Sequence, residues 1–174
     1  HKLLDEAGRD DPLSAAALSL NGRLYLHHFQ LTQGKNPDLL LRAAESLQAA
    51  IGRNNAAFKD YERLIDAYSA LADVSREQEK TGWLNKAFEA AGQAVERYPG
   101  CDRLHFKLAQ IAEQQGRNDT AIEQYKKAIE IEEQYRSQFR LMYPERQNIV
   151  SRMGEQAYQF AVERVKDLSG KSDE

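Results

Sequence analysis

The sequence predicts an all-α protein: a stack of about three helical hairpins closed by a C-terminal capping helix, about seven helices in all. Three observations carry this prediction. With 29% charged residues, 41% hydrophobic residues and only 10 Gly and 4 Pro in 174, the composition suits amphipathic helices better than strands or disorder. Apolar residues recur at three- and four-residue intervals through most of the chain, the spacing that places them on one helical face. One frame of small and large side chains also returns three times, as Ala43-Leu47-Ala50, Ala87-Ala91-Ala94 and Ala121-Tyr125-Ala128. A unit that repeats in this way buries its apolar face against its neighbours, so one elongated domain over residues 1–174 is expected.

The first hairpin is expected over residues 13–54. Leu18, Gly22 and Tyr25 lie on one face of its first helix, which His27 to Gly34 extend, and Asn36-Pro37-Asp38 open its second. Proline is tolerated there because the first turn of a helix has no internal partner for its N–H. The second hairpin is expected over residues 56–99, with Tyr61, Leu64, Ile65 and Tyr68 facing inward from its first helix. The polar stretch between Leu71 and Trp83 either lengthens both helices or projects as a loop, and its helix-forming SREQEK segment favours lengthening. Pro99 ends the hairpin.

The third hairpin, residues 102–142, is the clearest. Leu104, Leu108, Ile111 and Ala112 share a face, Gly116 stops the helix, and Asn118 or Asp119 starts the next. Its second helix continues to Met142, where Tyr143-Pro144 end it. Tyr135, Phe139 and Met142 extend past the usual hairpin length, to be covered by the capping helix or by a second copy, with the cap favoured. The cap itself is expected over residues 146–168, with Ile149, Val150, Met153, Ala157, Tyr158, Ala161, Val162, Val165 and Leu168 on one side. Residues 169–174 read as a frayed polar tail.

Leu108-Ala109, Ala121, Tyr125 and Ala128 resemble the large-small, Ala, aromatic and Ala steps of the tetratricopeptide repeat, and the 34 residues from Ala87 to Ala121 equal that family's period. His105 and Ala112 depart from it, standing where the family has Trp and Tyr. The resemblance implies a right-handed superhelical stack that holds a partner protein or extended peptide in a concave groove lined by the first helix of each hairpin. Carried onto this sequence, it places Arg23, His27, Lys59, Arg63, Arg103, Phe106, Lys107 and Gln110 toward the groove. Basic residues predominate among them, which implies an acidic peptide. Lys59 and Arg63 also have Glu62 and Asp66 at neighbouring turns, so their charges have local partners within reach. Some members of the family clamp chaperone C-termini with Lys, Asn, Asn, Lys and Arg. Arg103 and Lys107 match two of these positions, while Ser19, Arg23 and Arg63 replace the others, so that clamp is incomplete.

The segment FRLMYPERQNIVSRMGEQAYQFAVERV, following the last repeat, is similar to the tails of some bacterial O-antigen ligase-like proteins, in which a membrane-embedded catalytic part precedes soluble repeats. The absence of a starting methionine agrees with a piece of a longer chain. Three roles therefore stay open: a free-standing scaffold, the soluble region of a larger membrane-bound glycan-transferring protein, and a self-assembling module. The first favours the cytoplasm; the second implies membrane attachment.

A net charge of -3 and a pI near 5.9 give no positive field to attract a phosphate backbone, so nucleic acid is not an expected partner. A single cysteine, Cys101, rules out an internal disulfide and a thiolate-rich zinc site. Adjacent His27 and His28 point about 100° apart on a helix and do not ligate one metal from one face. With no phosphate loop and with paired acids only at helix ends or in the tail, neither cofactor, metal nor catalysis is expected. No apolar run is long enough to cross a bilayer.

Overall fold

The computed structural model describes residues 1–170, and all regular structure among them is helical. The eight described helices are α1 (Lys2–Asp10), α2 (Ala16–Leu31), α3 (Asp38–Arg53), α4 (Phe58–Val74), α5 (Glu77–Arg97), α6 (Asp102–Gln114), α7 (Asn118–Met142) and α8 (Glu155–Gly170). The chain divides into two compact units, one comprising His1–Ala94 and the other beginning at Val95.

In the first unit the repeated frame forms the core. Leu40, Ala43, Leu47 and Ala50 of α3 are completely buried, as are Ala67 of α4 and Ala87, Ala91 and Ala94 of α5. Small residues set how closely helices approach. A Cβ on Gly22 would lie 2.6 Å from Leu47 Cγ and 3.2 Å from the Ala43 carbonyl oxygen, so α2 and α3 cross where only glycine fits. Burying a Leu side chain contributes about 2 kcal/mol, against at most about 1 kcal/mol for a surface ion pair. Apolar packing therefore holds this hairpin. The stretch between Leu71 and Trp83 lengthens both α4 and α5 and leaves only Ser75 and Arg76 between them.

Helix α1 was not among the expected elements, because its nine residues carry too short a pattern to stand out and its anchors are distant in sequence. Arg53 Nη1 donates to the carbonyls of Gly8 (3.0 Å), Asp11 (3.2 Å) and Ser14 (2.9 Å). These are backbone acceptors that the end of α1 and its turn would otherwise leave open. Asn21, fully buried on α2, donates to Asp5 at 2.6 Å and also meets His1.

In the second unit α6 ends at Gly116, whose φ of +71° suits the left-handed position after a helix; the Arg117 N–H reaches back to the Ala112 carbonyl at 2.8 Å. Leu104, Ala109, Ala112, Ala121, Tyr125 and Ala128 are completely buried. His105, in the family's Trp position, is 7% exposed: Nε2 donates to the Pro99 carbonyl at 3.0 Å and Nδ1 lies 2.7 Å from the Gln124 amide. Its polar atoms are thus satisfied inside the core.

Two expectations for the C-terminal part are corrected. The capping helix begins at Glu155 rather than near 146, and the chain from Tyr143 to Gly154 is irregular. Its backbone is drawn out of a helical ladder by Glu132, a fully buried carboxylate that accepts the Arg152 N–H at 3.1 Å and Arg136 Nε at 2.8 Å. Gly154, at φ +93°, then turns the chain into α8, so Ile149, Val150 and Met153, expected on one side of the cap, precede the helix. Along the end of α7, Tyr135, Phe139 and Tyr143 form a ladder with centroids 6.0 and 4.9 Å apart. The Arg152 guanidinium covers Tyr135 at 5.3 Å. The irregular segment, rather than α8, therefore shields Tyr135, and Met142 remains 63% exposed. Of the frayed tail expected over 169–174, residues 169 and 170 are helical and 171–174 lie outside the described residues.

Candidate functional site

The eight residues expected to face a groove divide equally between the units, and each set has its own surroundings. In the first unit Arg23 and His27 stand one turn apart on α2, both exposed. Arg63 on α4 is half-buried and donates to Asp60 Oδ1 at 3.0 Å; Ser19 of α2 donates to the same oxygen at 2.6 Å. Asp60, only 2% exposed, thus ties α2 to α4 and orders the Arg63 guanidinium. Lys59 lies 3.0 Å from Glu62. The acids that answer these charges sit on the same turns of α4, so the basic residues of α4 are largely compensated. Arg23 makes no ion pair among the described residues, and exposed Asp66 adds a further acid on α4. Asp60 and Glu62 are buried polar residues that the sequence pattern did not separate from solvated charge.

In the second unit Arg103 and Lys107 on α6 are half-buried and engaged with neighbouring groups. Phe106 packs against Tyr125 (5.8 Å) and Phe160 of α8 (6.0 Å), forming an aromatic cluster. Gln110 lines a small cleft of about 260 Å³ with Glu113, Gln114, Tyr125 and Phe160. Glu113 accepts from the Tyr125 hydroxyl at 3.0 Å and is also bridged by Arg164. Burial, reinforced by the Glu113 charge, pushes the Tyr125 phenol well above its ordinary range, so it is a neutral hydrogen-bond donor. Helix α8 therefore rests on part of the surface that α6 was expected to present. Phe160 is 41% exposed, leaving an aromatic edge beside Gln110.

No group of three His, Cys, Asp or Glu side chains among the described residues could hold a metal ion. None of the described helices is long and apolar enough to cross a membrane.

Comparison with known proteins gives the repeats their name. Residues 38–70 and 102–135 each match a model of the tetratricopeptide repeat. These segments cover α3 with most of α4, and α6 with the first part of α7. Among solved structures, two of MamA superpose with a TM-score of 0.59 each, at 19% and 20% identity. They cover 98% and 99% of this chain and 85% and 80% of theirs. TTC0263, a thermophilic tetratricopeptide protein of Thermus thermophilus, superposes with a TM-score of 0.57 at 23% identity, covering 98% of this chain and 85% of its own. At these identities the likeness shows the fold, an all-α helical repeat. No curated protein matches the sequence. Nothing in these matches supports the O-antigen ligase-like resemblance of the C-terminal segment.

Proposed function

We propose that the protein is a non-catalytic scaffold that holds a partner protein or extended acidic peptide against the first helices of its repeats. Tetratricopeptide repeats are generally protein-interaction modules, which supports the coarse statement. The observation that carries the finer one is the exposure of Arg23 and His27 beside the buried Ser19–Asp60–Arg63 network. The network joins α2 to α4 and orders the Arg63 guanidinium, so an acidic ligand that docks beside Arg23 meets a fixed pair of helices. Arg103, Phe106, Lys107 and Gln110 are proposed to contribute a corresponding face on the second unit. Replacing Arg23 and His27 together with Glu tests this, because neither belongs to the core. Anisotropy of a labelled acidic peptide pool should show binding to the wild type and its loss in the double variant; equal binding by both refutes the role of this face.

A second role, self-association, is favoured by one observation. Leu141 (83%), Met142 (63%) and Val150 (81%) leave an apolar surface at the end of α7 open to water. Light scattering over a range of concentrations tests it: a mass that rises with concentration and is returned to the monomer by Leu141→Glu supports it, and a constant monomer mass refutes it.

A further inference from the structure

The open apolar surface at the end of α7 has a charged setting that favours an occupant other than a second copy. Past Arg136, which lies 2.6 Å from Glu155 of α8, the side chains of residues 137–142 make no hydrogen bond or ion pair among the described residues. These residues add about 9 Å of helix. The end is closed: the Tyr143 N–H reaches the Phe139 carbonyl at 2.9 Å, and the Arg146 N–H turns back to the Tyr143 carbonyl at 3.0 Å. Contact between the Phe139 and Tyr143 rings, with centroids 4.9 Å apart, braces the turn. The side chains therefore project from an ordered backbone.

Apolar and cationic groups stand together on this tip. Leu141 (83%) and Met142 (63%) are the most open, while Tyr143 is 46% exposed and has the Arg146 guanidinium 5.1 Å from its ring centroid. Residues 136–152 carry four arginines, Arg136, Arg140, Arg146 and Arg152, against one acid, Glu145, in a chain whose net charge is -3. Arg136 is neutralised by Glu132 and Glu155, and Arg152 lies over Tyr135. Arg140 and Arg146 are exposed and make no ion pair among the described residues. Two uncompensated cations thus flank two exposed apolar side chains.

We propose that this tip docks on the surface of an anionic lipid bilayer. Leu141 and Met142 enter the acyl boundary, Tyr143 lies at the headgroup level, and Arg140 and Arg146 meet the anionic headgroups. A lipid surface accepts apolar and cationic groups side by side and needs no groove, which suits a projecting helix end. A second copy meeting the tip symmetrically would set Arg140 and Arg146 against their own counterparts, and like charges oppose that contact. A soluble acidic chain would satisfy the arginines and leave Leu141 and Met142 in water.

Co-sedimentation of the whole chain with phosphatidylcholine vesicles, with and without about a third phosphatidylserine, tests this. The chain should sediment with the anionic vesicles and stay in solution with the neutral ones. Arg140→Gln combined with Arg146→Gln should weaken binding about twentyfold, at about fivefold for each arginine near an anionic surface. Leu141→Ser combined with Met142→Ser should abolish it at the same lipid concentration. All four side chains are exposed, so the fold is kept. Arg23→Gln should leave binding unchanged. Equal binding to neutral vesicles, no binding to either, or binding that survives both double variants overturns the proposal. Polyglutamate bound as tightly as the anionic vesicles, with or without Leu141 and Met142, overturns it in favour of an acidic protein. A lipid-free mass that rises with concentration and resists the arginine changes, while vesicles stay unbound, overturns it in favour of a second copy.

Discussion

At Gly22 a single hydrogen atom decides whether α2 and α3 can pack. Because Cβ would press on the Leu47 side chain and the Ala43 backbone, Gly22→Ala should destabilise the protein by about 2 kcal/mol through overpacking. Urea unfolding measures this, and an unchanged midpoint contradicts the close crossing. Asp102 poses the opposite case, a residue whose charge costs stability. It is 2% exposed; Oδ1 accepts the Arg103 N–H at 2.7 Å and Oδ2 has no partner among the described residues. Burial pushes its carboxyl above the ordinary range, opposed by the Arg103 amide and Arg152 and reinforced by Glu132. Such an acid holds its proton more tightly folded than unfolded. Its contribution is therefore most favourable below the unfolded value near 3.8 and is lost as pH rises through the raised folded value. Asp102→Asn keeps the acceptor and removes the charge, so it should be at least as stable as wild type at pH 7, with the advantage disappearing in acid. A variant clearly weaker at pH 7 contradicts this. The pattern Leu104, Leu108, Ala109, Ala112 was legible in the sequence because it is periodic. The burial of Asp102, Asp60 and Glu132 was not, since an acid on a helix reads as solvated until its distant partners are known.

At the scale of elements, what was legible follows the same division. Helices built on the repeated Ala-large-Ala frame were predictable as hairpins, and lengthening of α4 and α5 followed from local propensity. Helix α1 and the irregular segment before α8 depend on contacts across 45 and 20 residues respectively, which periodicity does not encode. Both can be tested by removing the anchoring side chain. Arg53→Ala leaves the carbonyls of Gly8, Asp11 and Ser14 without their donor, so amide exchange should quicken in residues 2–14 while α4 is unchanged; uniform protection would mean that Arg53 does not anchor α1. Burial alone would raise Glu132, but Arg136, Ser151 and the Arg152 N–H together hold its carboxyl below the ordinary range. Its stabilising contribution is thus present at neutral pH and lost as pH falls through that depressed value. Glu132→Gln should cost about 2 kcal/mol by weakening the charge-assisted hydrogen bonds from Arg136 and the Arg152 N–H, while Arg136 keeps its ion pair with Glu155 at 2.6 Å. The loss should appear at pH 7 in thermal unfolding and shrink in acid, and a pH-independent difference argues against the ion pair as its cause.

For the whole molecule, the repeat class was legible because three copies of one frame stand in the sequence, and residues 38–70 and 102–135 are matched by tetratricopeptide models. The proposed binding face was legible only as a set of positions. The structure adds that Lys59 and Arg63 are paired with Glu62 and Asp60, that Phe106 is packed under Phe160, and that Arg23 and His27 are left exposed. Pairing is a matter of side-chain geometry that helical spacing alone leaves open. The central claim, that the first helices of the repeats present the binding face, is tested most directly by mapping amide shifts on the wild-type chain as an acidic peptide without apolar residues is added. The predicted footprint covers Arg23, His27, Lys59 and Arg63 on α2 and α4 and the exposed edge of α6 near Gln110, and spares α3 and the buried face of α7. A saturable footprint on α3 or α5 in place of α2 and α4, or no footprint at all, contradicts it.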